Sequence, residues 1–389
     1  MSVRVLHIVG DSKYGGGSYV VLRLAQMSRA AGWEPWVLTT DALFQQVLEE
    51  NGIPYTACAR IAREVHPYKD LQALRQLIAY LHANRFDMVH THTSKGGFIG
   101  RRAAWSVGVP AIIHTVHGFA FHEQSHPLQV RMYAAIERMA ARWCHKIVTV
   151  SRYHREWALQ LKIATPSKVV AIPNGLDPAR IEPTQPLDAV RQALGVRAGL
   201  PIILSTGRLA TQKGFEYLIE AVSHLKRLRA QPFQVVIAGE GPLRDTLQKQ
   251  IQRLGVSDRV QLIGFYKTIG DLYALADLVV LPSLWEGLSI ALLEAMAAGK
   301  PIITTTIGSN LEATDNGRVA QLVPPKDAHA LANAIQQMLG DSQQAAHYAR
   351  CARDHFMQHY TETRMLEQYR QLYCEVLDAA HSDTRRSSK

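Results

Sequence analysis

Short apolar runs alternate with stretches of helical spacing along most of the chain. In the first part these runs occupy residues 3–9, 35–40, 87–92, 111–116, 146–151 and 168–173. Most of the intervals between them show the spacing of amphipathic helices, as from Ser18 to Ala31. Strands that alternate with helices in this way predict an α/β fold, in which a parallel sheet carries helices on both faces.

This rhythm is interrupted once and then restarts. Residues 173–186 contain four prolines and an Asn-Gly pair, which is the composition of turns and linkers. Further apolar runs follow at residues 201–207, 234–239, 260–264, 277–282, 301–306 and 319–324. We therefore expect two Rossmann-like, doubly wound domains, at residues 1–175 and 176–361. Two such domains in tandem are expected to face each other across a cleft, where ligands of this fold class bind.

A helix is predicted at the C-terminus. Residues 362–380 show helical spacing, with Met365, Tyr369, Leu372 and Val376 on one stripe. The last residues, 381–389, are expected to be frayed.

The composition is that of a globular protein with sizeable cores. Of 389 residues, 47% are hydrophobic and 20% are charged, and no run reaches the roughly 18 apolar residues of a transmembrane helix. The N-terminus passes into a strand pattern without the layout of a signal peptide. The four cysteines form no Cys-x-x-Cys pair, so we expect a reduced, cytoplasmic protein without a cysteine metal site.

The net charge of +10 is concentrated in the first part of the chain. Residues 1–185 carry 21 Lys and Arg against 13 Asp and Glu, whereas the remainder carries 22 against 20. Two interpretations stay open: a basic solvated surface, or contact with an anionic partner such as a phospholipid surface or a pyrophosphate-bearing lipid. Nucleic acid is disfavoured, because no nucleic-acid-binding motif accompanies the charge.

Three glycines follow the first strand, in VGDSKYGGGSYVVLRLA at residues 9–25. Glycine lets the backbone approach a ligand, and the N-terminus of the following helix offers N–H groups to an anion. The spacing is neither that of a dinucleotide-binding loop nor that of a P-loop. The segment is therefore either a tight turn or a phosphate-binding loop of another kind.

Two cations lie in the loop after the first strand of the second domain. Arg208 and Lys213 stand in STGRLATQKGFEYLIEA, before the next helix. Cations in such a loop are often only solvated, but a pair at the mouth of a sheet can bind a diphosphate.

Two glutamates stand eight positions apart in PSLWEGLSIALLEAMAAGKP, residues 282–301. Ser289 is expected to cap a helix that ends at Gly299, so that Glu286 lies in the preceding loop and Glu294 inside the helix. A carboxylate at this place can accept hydrogen bonds from sugar hydroxyls, and the N–H groups near Ser289 and Ile290 can bind phosphate. The alternative for Glu294 is an acid that only stabilises the helix dipole.

Histidines accumulate on two strands of the first domain. His90 and His92 alternate on one strand, and His114 and His117 flank the end of the next. A metal site is disfavoured, because no Asp, Glu or Cys completes a ligand set at recognisable spacing. His117 is the best candidate for a ligand contact, since it precedes a glycine in a loop at a carboxyl edge.

Taken together, these segments resemble the retaining glycosyltransferases of family 4, which have the GT-B fold. The similar segments are the GGG loop, TVHGF, VSRYHRE, IPNGLD, GRLATQKGFEYLIEA, IAGEGPLRDTL, VQLIGF and LPSLWEGLSIALLEAMAAGKPII. The most diagnostic is the glutamate pair, followed by Gly-Arg with a lysine five positions after the arginine. HTHTSKGGFIGRRAA and TVHGFAFH are most similar to members that build bacterial capsule, exopolysaccharide or lipopolysaccharide.

The resemblance implies a role for each candidate residue. The first domain would bind the acceptor, the second would bind a nucleotide-sugar, and the C-terminal helix would cross back onto the first domain. His117 would lie beside the transferred sugar and Glu286 would contact it. The diphosphate would be bound by Arg208, Lys213, Gly16, Gly17, Leu288, Ser289 and Ile290. The ribose and base would be bound by Glu294, Gly264, Phe265 and Tyr266.

The implied activity is transfer of a hexose or N-acetylhexosamine from a UDP-sugar, or from a GDP-sugar, to a lipid-linked saccharide or other surface-polysaccharide acceptor. No cofactor or metal is expected, because Arg208 and Lys213 can neutralise the leaving group and no DxD motif occurs. The protein would work in the cytoplasm, peripherally on the inner leaflet. The alternatives are a nucleotide-sugar epimerase or hydrolase of the same fold, and an inactive nucleotide-sugar-binding subunit.

Two segments depart from the family pattern. Ser309 and Asn310 stand in a region where the family often has a second glycine, and Ala320 or Gln321 stands where glycine is common. Both departures lie outside the expected phosphate clamp. They leave the geometry near the ribose and on the acceptor side open.

Overall fold

A computed structural model of the protein describes residues 2–10, 15–62, 64–228 and 230–387, the last five of these by their backbone only. The chain divides into two compact units. The first unit combines Met1–Asn174 with Thr363–Lys389, and the second comprises Gly175–Glu362.

Each unit is built on one parallel sheet. The strands of the first unit are β1 (Arg4–Gly10), β2 (Glu34–Thr39), β3 (Tyr55–Thr56), β4 (Met88–His92), β5 (Ala111–Val116), β6 (Lys146–Thr149) and β7 (Val169–Ala171), in the spatial order β3-β2-β1-β4-β5-β6-β7. The strands of the second unit are β8 (Ile202–Thr206), β9 (Gln234–Ala238), β10 (Val260–Gly264), β11 (Leu278–Leu281), β12 (Ile302–Thr305) and β13 (Gln321–Val323), in the order β10-β9-β8-β11-β12-β13. Two doubly wound sheets confirm the predicted fold; only β3, two residues without an apolar run, was not predicted.

Helices connect successive strands in both units. Those of the first unit, before the linker, are α1 (Gly16–Ala30), α2 (Ala42–Glu50), α3 (Pro67–Asn84), α4 (Ser94–Ser106), α5 (Pro127–Ala141) and α6 (Arg152–Gln160). Those of the second unit are α7 (Leu187–Leu194), α8 (Phe215–Arg227), α9 (Arg244–Arg253), α10 (Ile269–Leu275), α11 (Ile290–Ala297), α12 (Gly308–Ala313), α13 (Ala328–Gly340) and α14 (Ser342–His359). Two short 3₁₀ helices cover Pro178–Ile181 and Thr211–Lys213.

The last helix, α15 (Glu362–Ser387), packs on the sheet of the first unit. Its Tyr373 hydroxyl lies 2.5 Å from His90 Nδ1, and its Tyr369 hydroxyl lies 3.0 Å from Thr115 Oγ1. The helix continues beyond the predicted end at residue 380, to Ser387, and the fraying of the last residues stays a prediction. Neither glycine nor proline occurs there to end the helix. No helix in the described part of the chain is long and apolar enough to cross a membrane.

Helix α4 lies unusually close to the first sheet because glycines face the strands. A Cβ atom on Gly97 would lie 2.2 Å from His114 Cε1, so this position has no room for a side chain. One turn further on, Arg101 is fully buried and pairs with Glu137 of α5 at 2.8 Å. The pair joins the two helices through a charge that water does not reach.

The second sheet is closely packed at the carboxyl ends of its strands. Gly239 follows β9 with φ +145°, and a Cβ atom there would lie 1.9 Å from the Gly207 carbonyl oxygen at the end of β8. Gly207 in turn donates its N–H to the carbonyl of Ala238 at 3.0 Å. The loops after these strands therefore begin side by side at one edge of the sheet, which is the edge that carries the predicted site.

Candidate functional site

The segment with the two glutamates folds as its sequence predicts. Strand β11 ends at Leu281 and helix α11 begins at Ile290. The hydroxyl of Ser289 accepts a hydrogen bond from the Leu292 N–H, which confirms the predicted cap. Gly299, at φ +60°, follows the helix end as predicted. Leu288 and Ser289 are buried immediately before the first turn.

Glu286 lies in the loop between β11 and α11, where three side chains contact its carboxylate. Lys213 Nζ forms an ion pair with Oε1. Ser283 Oγ donates to the same oxygen at 2.9 Å, and Gln212 Nε2 donates to Oε2 at 3.0 Å. Both members of the ion pair are largely buried, with 17% of the lysine and 7% of the glutamate side chain exposed. The carboxylate is therefore held in one orientation by charge and hydrogen bonds.

The backbone brings these two loops together. The N–H of Leu284 donates to the Gln212 carbonyl at 2.8 Å. Gly214 has φ +63°, and a Cβ atom there would lie 2.2 Å from the Pro282 carbonyl oxygen. The loop after β8 therefore lies directly on the loop after β11. This contact is what places Lys213 beside Glu286.

Glu294 is buried inside helix α11, with 6% of its surface exposed. Arg180 Nε approaches its Oε1 at 3.3 Å, and the Tyr273 hydroxyl lies 3.2 Å from its Oε2. Burial raises the pKa of Glu294, while Arg180 and the Tyr273 hydrogen bond oppose that rise. A helix acid that serves only the dipole is usually solvated, whereas the Glu294 carboxylate is buried and has two side-chain partners. A ligand contact for Glu294 stays a prediction.

The other predicted nucleotide contacts lie on the same sheet edge. Arg208 is exposed in the loop after β8. Gly264, at φ +76°, ends β10, and a Cβ atom there would lie 2.7 Å from Glu240 Oε1. The next residue, Phe265, is 62% exposed, and Tyr266 is partly exposed. An exposed aromatic ring beside a glycine at a strand end can stack on a planar ligand.

The departures from the family pattern have structural roles of their own. Asn310 is buried in α12, and its Nδ2 donates to Thr304 Oγ1 at 2.9 Å and to the Thr305 carbonyl at 3.2 Å. Asparagine therefore ties the helix to the end of β12 by its side chain. Ala320 is fully buried, and Gln321 begins β13.

In the first unit, the glycine loop lies against His117. Helix α1 begins at Gly16, and its N-cap residue, Gly15, has no side chain that could accept a hydrogen bond from the first turn. A Cβ atom on Gly17 would lie 3.8 Å from the ring of His117, which follows β5. Gly16, Gly17 and His117 are thus brought together. Residues 11–14 of the predicted loop lie outside the described residues.

The histidine cluster on the same sheet is larger than predicted. Strand β1 lies beside β4, with His7 opposite His90. His7 Nδ1 lies 3.3 Å from His92 Nε2, and His92 Nδ1 lies 3.1 Å from His117 Nε2. Burial lowers the pKa of His7 to about 3 and that of His117 to about 4, and it lowers those of His90 and His92 as well. All four rings are therefore neutral at pH 7.

Ring nitrogens of His7, His90 and His92 lie within 4.8 Å of one another, a spacing at which three side chains could bind one metal ion. Both nitrogens of His90 already have partners, Tyr373 at 2.5 Å and Thr115 at 2.7 Å. The group contains no carboxylate to offset the charge of a divalent ion in a buried site. The absence of a metal stays a prediction.

Sequence reasoning missed five residues of these sites: His7, Arg180, Gln212, Tyr273 and Ser283. Gln212 and Ser283 stand inside motif segments, where other residues drew the attention, whereas His7, Arg180 and Tyr273 belong to no motif and lie far in sequence from their partners. His7 stands within an apolar strand pattern, where a single histidine is no signal. Only the strand order places it beside His92.

Comparison with known proteins identifies the family. Residues 15–175 match the family described as "Glycosyl transferase 4-like domain", and residues 188–355 match "Glycosyl transferases group 1". The UDP-Gal:alpha-D-GlcNAc-diphosphoundecaprenol alpha-1,3-galactosyltransferase of Escherichia coli is 32% identical over 284 residues, which are 72% of this chain and 73% of that protein. The putative glycosyltransferase EpsD of Bacillus subtilis is 28% identical over 354 residues, 89% of this chain and 90% of that protein.

Solved structures share the fold over almost the whole chain. HepE of Anabaena, crystallised in complex with UDP and glucose, is 23% identical, with a TM-score of 0.82 over 96% of this chain and 100% of that chain. Sucrose-phosphate synthase of Thermosynechococcus elongatus is 21% identical, with a TM-score of 0.80 over 97% of this chain and 100% of that chain. With both family matches and the Escherichia coli relative, this chain belongs to the glycosyltransferases that combine a GT4-like domain with a group 1 domain, and it has the GT-B fold.

Proposed function

We propose that this glycosyltransferase moves a hexose or N-acetylhexosamine from a nucleoside diphosphate sugar to a lipid-linked saccharide, with retention of the anomeric configuration. UDP is the favoured nucleotide and GDP the second candidate. The observation that carries the proposal is the convergence of Lys213, Glu286 and the buried Glu294 at the carboxyl edge of one sheet. Glu286 lies before the start of α11 and Glu294 lies within this helix, so their carboxylates can bind the sugar and the ribose at the two ends of such a donor.

The contacts of Glu294 support a ribose-binding role. Its Oε1 and Oε2 have single partners in Arg180 and Tyr273, at 3.3 and 3.2 Å. A carboxylate has about four acceptor positions, so it can still accept hydrogen bonds from two ribose hydroxyls. The exposed Phe265, with Gly264 and Tyr266, is the proposed surface for the base.

The charges around Glu286 support a role in holding the sugar and the diphosphate. Loss of the nucleoside diphosphate breaks the bond from the anomeric carbon, and the electron pair moves to the leaving phosphate oxygen. Lys213 and Arg208 are proposed to stabilise that charge, together with N–H groups of Leu288, Ser289 and Ile290. Preorganised groups of this kind contribute several kcal/mol, roughly 3–4 per donor.

Retention is proposed to follow from attack by the acceptor hydroxyl on the face that the diphosphate leaves. The hydroxyl oxygen forms the new bond to the anomeric carbon, and its proton passes to the leaving phosphate. Glu286 and His117 are proposed to orient the sugar by hydrogen bonds, and the N–H groups of Gly16 and Gly17 to bind phosphate. No covalent intermediate and no metal ion are part of this scheme.

The similarity to a galactosyltransferase named for a diphosphoundecaprenol acceptor supports a lipid-linked acceptor. Helix α5 offers a surface for the membrane that holds such a lipid. Its exposed Leu128, Met132 and Met139 lie on one face at helical spacing, flanked by exposed Arg131 and Arg138. We propose that this face binds anionic lipid at the cytoplasmic side of a membrane, apolar side chains inserting and arginines contacting phosphates.

The donor proposal is tested by thermal-shift measurements with UDP, GDP, ADP and their common sugars. UDP or a UDP-sugar should raise the melting temperature more than the other nucleotides. NMR of the product formed on a polyprenyl-diphosphate saccharide should then show the anomeric configuration of the donor. Selective stabilisation by ADP, or an inverted product, would overturn the proposal.

The membrane proposal is tested by sedimentation with vesicles. Binding to vesicles that contain phosphatidylglycerol should fall as salt rises, and binding to phosphatidylcholine vesicles should be weak. The double variant Arg131→Gln with Arg138→Gln should bind phosphatidylglycerol vesicles more weakly and should bind phosphatidylcholine vesicles as the wild type does. Equal binding to both vesicle types would contradict the proposal.

A further inference from the structure

Three histidines of the first unit form a hydrogen-bonded chain that runs across the sheet. His7 lies on β1, His92 on β4 and His117 just after β5. The two bonds join His7 Nδ1 to His92 Nε2, at 3.3 Å, and His92 Nδ1 to His117 Nε2, at 3.1 Å. The nitrogens at the two ends, His7 Nε2 and His117 Nδ1, are buried and have no hydrogen-bond partner among the described residues.

The chain consists of neutral rings. His7 and His92 are fully buried, and burial lowers the pKa of each member far below its usual value. A neutral imidazole carries one proton, on Nδ1 or on Nε2, so that one nitrogen donates and the other accepts. Each of the two bonds then needs one protonated nitrogen and one bare nitrogen.

This requirement couples the three rings. If His7 carries its proton on Nδ1, it donates to His92 Nε2; His92 must then carry its proton on Nδ1 and donate to His117 Nε2. His117 in turn carries its proton on Nδ1. The opposite direction places all three protons on Nε2. Any mixed arrangement sets two protons or two lone pairs against each other and loses a buried hydrogen bond, at about 1–3 kcal/mol.

His117 Nε2 is used by the chain, so Nδ1 is the nitrogen that remains for a ligand. Whether Nδ1 donates or accepts depends on the direction of the chain. We infer that His7 and His92 are positioning residues that fix the tautomer of His117 and so decide how it bonds to the transferred sugar. The sugar contact rests on the proposed function, whereas the coupling of the three rings rests on the hydrogen bonds alone.

The surrounding side chains keep His90 out of the chain. His90 bonds to Tyr373 and Thr115 through its two nitrogens and packs against His92 with 4.1 Å between ring centroids and the two rings tilted by 40°. It therefore holds the ring of His92 in place without contributing a proton to the chain. A metal ion bound to His7 Nδ1 and His92 Nε2 would break the hydrogen bond between them, so metal binding and the hydrogen-bonded chain exclude each other.

The test is NMR of the full-length protein labelled with ¹⁵N-histidine. Two-bond ¹H–¹⁵N spectra distinguish rings protonated on Nδ1, on Nε2 and on both. We expect His7, His92 and His117 to show the same single tautomer at pH 7. Three results would each overturn the inference: different tautomers among the three rings of the wild-type protein, a doubly protonated ring in the chain, or stoichiometric zinc bound to these rings.

Variants at the distant end of the chain test the coupling. His7 does not bond to His117 directly, so His7→Leu should release His117 into both tautomers only if His92 transmits the change. His7→Asn places an amide where the imidazole has Nδ1, and it should preserve the single tautomer of His117. The matched control is His114→Asn on β5, because His114 is buried but bonds to Thr91, outside the chain. An unchanged His117 spectrum in His7→Leu would contradict the inference.

Kinetics give a second measurement. If between about half and nine-tenths of the molecules carry the wrong tautomer, the competent fraction falls in proportion, so His7→Leu should lower kcat about two- to tenfold and leave the KM for donor nearly unchanged. His114→Asn should leave kcat unchanged. Failure of the UDP-sugar assay in the wild-type protein would count against the proposed function alone, because the NMR result does not depend on turnover. A His7→Leu protein with wild-type kcat would overturn the catalytic part of the inference.

Discussion

Lys213 and Glu286 form a largely buried ion pair that joins the loop after β8 to the loop after β11. The lysine ammonium and the glutamate carboxylate orient each other, and Gln212 and Ser283 complete the contacts of the carboxylate. A donor with a sugar and a diphosphate would find its two contact groups already in place.

Lys213→Ala should abolish most transfer activity while the protein stays folded. It removes the cation proposed for the diphosphate and leaves Glu286 without its counter-charge. We expect kcat/KM to fall by about 100-fold or more, as for loss of one preorganised stabilising group. The measurement is initial-rate kinetics with a UDP-sugar, together with circular dichroism.

The control for this variant is Lys226→Ala. Lys226 pairs with Asp258 at 2.6 Å, but both side chains are well exposed. An exposed pair is worth at most about 1 kcal/mol, so activity should be unchanged and stability nearly so. Equal losses of activity in the two variants would refute the role of Lys213.

Glu294→Gln should weaken nucleotide binding more than it weakens the fold. The substitution removes a buried charge that burial already disfavours, but it also takes the counter-charge from Arg180. These effects oppose each other, so we expect a change in unfolding free energy within about 1–2 kcal/mol. Loss of the proposed charged hydrogen bonds to the ribose should raise the Kd for UDP about tenfold or more. Calorimetry with UDP measures this, and a wild-type Kd would argue against ribose binding.

The stability contributed by His7 should depend on pH. Its folded pKa of about 3 lies below the unfolded value of about 6.5. A depressed pKa gives stability that is present above pH 6.5 and is lost as pH falls towards 3, because the unfolded state takes up the proton first. Between pH 7 and pH 5 the loss amounts to about 2 kcal/mol.

Urea unfolding of the wild type and of His7→Leu at pH 7 and at pH 5 checks this dependence. The wild type should lose about 2 kcal/mol more than the variant between these values. The exposed His381→Leu serves as the control and should behave like the wild type. A pH dependence that is the same in all three proteins would show that His7 does not stay neutral by burial.

Glu137→Leu should destabilise the first unit strongly. It leaves the fully buried Arg101 without its counter-charge, which costs about 3–5 kcal/mol. Replacing both partners, Arg101→Met with Glu137→Leu, should recover most of that loss. Urea denaturation monitored by tryptophan fluorescence measures both. A double variant as unstable as the single one would place the cost in packing and not in charge.

The local features of the glutamate segment could be predicted from sequence. A helix end is decided by neighbours in the chain, and so the cap at Ser289 and the stop at Gly299 appear where they were expected. The alternation of strands and helices likewise predicted two parallel sheets. The C-terminal helix was predicted too short, because the polar sequence at 381–387 contains no glycine or proline to mark a helix end.

The sequence by itself determined the family pattern, the two sheets and the eight-residue spacing of Glu286 and Glu294, since these depend on local spacing and helix geometry. Only the tertiary structure decided their partners. Lys213 is 73 residues from Glu286, and Arg180 is 114 residues from Glu294. His7 and His92, 85 residues apart, meet because β1 lies between β2 and β4. Such pairs form where strand order and close backbone packing bring distant loops together, and hydrophobic periodicity carries no record of that order.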